Sequence, residues 1–150
     1  MTTGTPEAAV TPKSQPQQEL VLAWPGWRLI GTIAGVAALS ASAWLAAPRL
    51  GPWDAEVAVA GVAGAVLVGA LTIAALLAVW PWKVRPMSTW MNLWIGGTVL
   101  RLLLIPAATY LLYSATSLSA TALALSVGLT YVLTLFAEAA VLALYVRRAV

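Results

Sequence analysis

Arg101 and Glu138 are the residues whose chemistry needs explaining, because each sits deep inside a long apolar stretch of this 150-residue chain. An ionised side chain near the centre of a membrane-crossing helix costs about 2.5–3.5 kcal/mol on insertion scales, so each needs something to answer it. The two can answer one another. If the helix carrying Arg101 rises from the side that holds both chain ends, and the next one descends, Arg101 lies near mid-bilayer. Glu138 then lies about nine residues, or about 13 Å, from the end of its own helix. Helical side chains lean toward their own N-terminus, so in antiparallel neighbours the guanidinium and the carboxylate lean together.

Hydroxyls extend this into a candidate polar seam. Ser126, Thr130, Thr134 and Glu138 recur every fourth residue and form one slowly twisting stripe. On the facing helix, Gly97 and Thr98 lie one turn before Arg101, and Pro106 deletes the backbone bond to Leu102. Tyr131 adds a hydroxyl near mid-span. At this level two meanings stand side by side: polar residues that hold two helices in register, or a charge kept for a partner or an ion path.

Other chemistry is largely excluded. Cysteine and histidine are absent, which removes disulfides, thiolate nucleophiles, imidazole metal sites and the usual hydrolytic triads. Five carboxylates and eight basic side chains remain, too scattered for a catalytic cluster. The expectation is a protein that is not an enzyme and holds no metal or cofactor. A net charge of +3 with a pI near 9.7 could suggest nucleic acid, but the few basic residues are explained better by membrane topology.

The elements that must position Arg101 and Glu138 follow from hydropathy. The chain is 61% hydrophobic and 9% charged, with a mean hydropathy of +0.89, too apolar for a soluble domain of this size. Residues 1–19, rich in Thr, Pro, Gln and Ala, predict a disordered cytoplasmic tail. Residues 20–150 predict a four-helix transmembrane domain, with spans at Leu29–Ala47, Val57–Trp80, Trp90–Tyr113 and Ala120–Val146. Each is near or above the about 20 residues needed to cross the hydrocarbon core. The small-residue site Ala41-Ser42-Ala43 would suit signal cleavage, but the long, nearly neutral segment before it does not.

The eight tryptophans fall near the expected helix ends, where the headgroup region favours them. Lys13, Arg28, Lys83, Arg85, Arg147 and Arg148 share one side, whereas Arg49 lies opposite beside Asp54 and Glu56. The positive-inside rule then places both termini in the cytoplasm. The fold class expected is an all-α membrane protein, its four transmembrane helices arranged as two antiparallel hairpins. Gly31 and Gly35, with Gly61, Ala65 and Gly69 and with Gly97 of the third span, supply small residues for close helix packing within the chain or in a homo-oligomer.

From Trp53 to Arg148 the chain resembles the ATP synthase protein I family of small bacterial accessory membrane proteins. The residues that carry the likeness are Gly61-Val-Ala-Gly-Ala65, a helix end in Trp and basic residues, Gly97 four residues before Arg101 with Leu-Leu-Leu after it, and a basic C-terminus. The polar break in the second helix of that family is missing, the N-terminal tail is long, and Glu138 is no marker of the family. The resemblance implies a multi-pass protein of the bacterial inner membrane. It would assist assembly or stability of the c-subunit ring of an F-type ATP synthase, with a suggested role in magnesium supply. Its partners would be lipids and c subunits. The rival expectation is a small transporter or channel component whose path follows the Arg101–Glu138 seam.

Overall fold

Long apolar runs dictate the architecture, broken by Pro, Gly and charged residues at the first two connections and by a short Ser-Thr connection, residues 116–119, at the third. In a computed structural model, which describes residues 21–149, they become four helices: α1 (Gly26–Leu50), α2 (Ala55–Ala78), α3 (Met87–Ala115) and α4 (Ala120–Ala149). The shortest, α2, has 24 residues and is about 36 Å long at 1.5 Å per residue. All four are long and apolar enough to cross a membrane. Their outward faces are apolar as well, with Leu39, Val66, Leu103, Leu111 and Phe136 more than half exposed. Such a surface would aggregate in water and matches a lipid environment. The chain is a multi-pass membrane protein. The tail expected over residues 1–19 lies outside the described residues.

Element ends differ from the expected ones in instructive ways. α1 continues through Pro48 to Leu50, since a proline so near the end forfeits only the bond to the Trp44 carbonyl. α3 likewise runs on through Pro106. α2 stops at Ala78 rather than Trp80, and Trp80 takes a left-handed backbone conformation (φ 57°) just past the helix. Glycine usually fills that position, because a Cβ there costs roughly 1–2 kcal/mol.

The bundle is built around α2. Its Gly61 lies against the Trp44 indole of α1, and a Cβ on Gly69 would fall 2.8 Å from Ala37 Cβ. These pairs run in opposite senses along the two helices, so α1 and α2 are antiparallel. On another face, a Cβ on Gly64 would lie 3.1 Å from the Leu123 carbonyl and from Ser126 of α4. Ala65 and Val68 are fully buried between these contacts. α4 packs chiefly on α2 and α1, and α3 rests on α2 and α4 more lightly.

Gly31, Gly35 and Gly97 do not serve as packing residues within the chain: a Cβ on any of them would meet open space. The GxxxG of α1 points outward. Gly64, not singled out by the sequence reading, supplies the close approach to α4.

The end of the bundle that carries residues 79–86 has a cap. The two-residue strands β1 (Val21–Leu22) and β2 (Arg85–Pro86) pair antiparallel. Trp24 N–H donates to the Pro81 carbonyl at 3.0 Å, and Tyr145 Oη donates to the Ala23 carbonyl at 3.0 Å. The Trp24 ring stacks on Trp90 at 4.6 Å, with the Arg85 guanidinium 5.1 Å from the Trp90 centroid. Trp90 is completely buried, so not every tryptophan near a helix end is a headgroup anchor; Trp27, Trp53, Trp80 and Trp82 are the exposed ones.

Candidate functional site

Position 101 falls at the middle of α3, on the face turned to α4, and position 138 lies 11 residues before the end of α4. The opposed leans bring the two side chains together as a fork. Arg101 Nη1 donates to Glu138 Oε1 at 2.7 Å, and Nη2 donates to Oε2 at 3.1 Å. The side chains are 8% and 6% exposed. Two parallel charge-assisted bonds fix orientation as well as distance, which a lysine could not do. Arg101 Nε also donates to the Gly97 carbonyl at 3.3 Å, so Gly97 serves the site through its backbone.

The remaining seam residues do not line up along α3. The Ser126 hydroxyl donates to the Gly61 carbonyl of α2. Thr130 and Ser40 of α1 share a hydroxyl–hydroxyl bond of 2.6 Å. Thr134 is buried, and its hydroxyl has no hydrogen-bond partner among the described residues. Only Glu138 reaches α3. Geometry explains the fan: each step of four residues turns the helix by roughly 40°, so Ser126 and Glu138 differ by roughly 120° in heading. The stripe is one line on α4 that addresses three helices in turn.

Thr98 is half-buried, and its hydroxyl donates to the Trp94 carbonyl of its own helix at 2.8 Å. It contributes its backbone carbonyl at most, to which Tyr131 Oη lies at a long 3.5 Å.

Beside the fork lies a cavity of about 30 Å³, lined by Trp24, Leu29, Trp94, Gly97, Arg101 and Glu138 among others. That volume admits one or two waters. Trp94 also has a buried indole N–H without an acceptor among the described residues. The sequence reading missed Ser40, Thr72, Trp24 and Trp94 as part of this interior. Signals existed for two of them: Ser40 is a lone hydroxyl on an Ala-rich face, and Thr72 continues the small-residue line Gly61, Ala65, Gly69 within one turn.

Among the described residues no group of three or more Asp, Glu, His or Cys side chains could hold a metal ion. What the site can do chemically is hold a fixed cation against a carboxylate in a nearly dry setting. No family model, curated protein or solved structure matches the chain.

Proposed function

We propose that this chain is a non-enzymatic accessory protein of the bacterial inner membrane that uses Arg101 to engage a partner's intramembrane carboxylate. The partner would be the c subunit of an F-type ATP synthase, whose ring it would help to assemble or stabilise. The observation that carries the reading is the forked Arg101–Glu138 pair on α3, the most lightly packed helix. A cation held by one exchangeable carboxylate can pass to another without leaving a net charge unpaired in lipid. The exposed leucines 102, 103 and 104 border Arg101 and offer an apolar face for a partner helix. The ring itself is supported by the family resemblance alone.

In this reading the helices form two antiparallel hairpins with both termini in the cytoplasm, as the basic residues at one end suggest. Cysteines at Val84 and Ser117 of the cysteine-free chain test it. An impermeant thiol reagent applied to intact cells should label position 117 and spare 84, and the reverse pattern overturns the topology.

The functional test places a photo-crosslinker at Leu100 or Leu104, both exposed beside Arg101. It should capture a c subunit in the native membrane, and deletion of the protein should lower the yield of assembled rings. Crosslinks only to other proteins, with unchanged ring yield, sink the assembly reading. The transporter-component alternative has less support, since Ser126 and Thr130 spend their hydroxyls on α2 and α1 instead of lining an open path.

A further inference from the structure

A groove of about 430 Å³ runs between α1 and α4 at the end of the bundle that bears the cap. Its walls are Arg28, Gly31 and Thr32 of α1 with Val141, Leu144, Tyr145 and Arg148 of α4. That volume falls within the about 300–1,000 Å³ typical of small-ligand clefts.

Three features of the groove converge on one kind of occupant. Both guanidiniums are exposed, and neither forms an ion pair among the described residues, where Glu138 is engaged by Arg101. The other described carboxylates, Asp54 and Glu56, sit at the start of α2, at the opposite end of the bundle. Arg28 lies in the first turn of α1 and Arg148 in the last turn of α4, which places both at headgroup depth. Below them the wall turns apolar with Val141 and Leu144, and Gly31 leaves open space where a side chain would stand. Two cations with no ion-pair partner among the described residues, above an apolar slot, match a phosphodiester joined to an acyl chain.

We propose that this groove binds one anionic phospholipid, its phosphate held between Arg28 and Arg148 and an acyl chain lying over Gly31, Val141 and Leu144. Basic pockets between transmembrane helices bind lipid headgroups by this combination of charge and apolar contact. The site is separate from the Arg101–Glu138 pair and does not depend on the assembly reading.

Native mass spectrometry of the full chain in detergent tests it, with phosphatidylglycerol, phosphatidylcholine and inorganic phosphate as separate additions. Wild-type protein should retain one phosphatidylglycerol in preference to phosphatidylcholine. Arg28→Gln with Arg148→Gln should weaken that retention by roughly tenfold or more. Gly31→Leu, which keeps both cations but fills the slot, should weaken it too. Arg147→Gln, which alters a neighbouring cation outside this groove, should leave it unchanged, and helical circular dichroism confirms that each variant is folded. Equal retention of the two lipids, undiminished retention in the double variant, or equal displacement by inorganic phosphate overturns the proposal.

Discussion

α1, α2 and α4 hold together by close approach, whereas α3 is held by a charge pair and an aromatic cap. In lipid no hydrophobic force draws helices together, because the tails are as apolar as leucine. Close packing and polar bonds remain: α1, α2 and α4 combine the two, since Ser126 bonds the Gly61 carbonyl and Thr130 bonds Ser40, whereas α3 relies mainly on the second. The interface of α2 is built from Gly61, Gly64, Ala65 and Gly69, which let backbones meet. α3 has a bulky Leu-rich exterior and only Trp90, Arg101 and Ile105 buried. The difference teaches that the buried charges sit where packing is weakest, as a directed fastening for a helix that would otherwise have little reason to stay.

The sharpest way to break that comparison is to remove one charge. Arg101→Leu leaves the Glu138 carboxylate buried without its partner, and Glu138→Leu leaves the guanidinium so. Breaking a buried pair from one side costs about 3–5 kcal/mol, whereas removing both partners costs far less. Unfolding in mixed detergent micelles should show a large loss for each single variant and a recovery in the double one. Additive losses would mean that the pair is not what fastens α3.

A smaller effect is expected in the tightly packed region. Gly69→Ala places a Cβ 2.8 Å from Ala37 Cβ, and relief to an ordinary contact near 3.5–4.0 Å requires the α1 and α2 backbones to part. The expected loss is about 1–3 kcal/mol. Gly35→Ala, in open space, should be neutral or gain up to about 1 kcal/mol from helix propensity. Equal losses at the two positions in the same unfolding assay would show that both glycines pack, and that the GxxxG of α1 has a partner in a second copy.

How much of this was legible in the sequence depends on the physics each feature uses. The four spans were legible because hydropathy over about 20 residues is a local property. The meeting of Arg101 and Glu138 was legible because side-chain lean and a short Ser-Thr connection constrain antiparallel neighbours. The destination of the hydroxyl stripe was not. Ser126 and Thr130 could be placed on one line of α4, but which helix each addresses depends on the rotation and order of the bundle, set by contacts such as Gly64 with Ser126. Small residues are ambiguous for the same reason: Gly31-x-x-x-Gly35 and Gly61-x-x-x-Ala65 look alike, and only the second faces a neighbour.

The smallest expected effects lie on that stripe, where two neighbouring threonines of equal burial should respond in opposite directions. Thr130 shares a bond with Ser40, and Thr134, one turn on, has an unpartnered hydroxyl among the described residues. α2 and α4 run in the same direction, and Gly64 faces Ser126. Eight residues further along each helix come Thr72 and Thr134, so two buried hydroxyls without acceptors among the described residues stand at similar depth. Valine matches threonine in shape and removes only the hydroxyl. Thr130→Val should therefore cost about 0.6 kcal/mol, the average for a hydrogen bond between membrane helices, and Ser40→Ala combined with it should cost little more. Thr134→Val removes a polar group that already lacks a partner, so stability should stay level or rise by about 1 kcal/mol. A clear loss on Thr134→Val would show that its hydroxyl is satisfied after all, by water or by a partner molecule reaching the stripe one turn above Glu138. That result would move the boundary between the two regions, since the polar interior would then reach from the Arg101–Glu138 fork into the packed core.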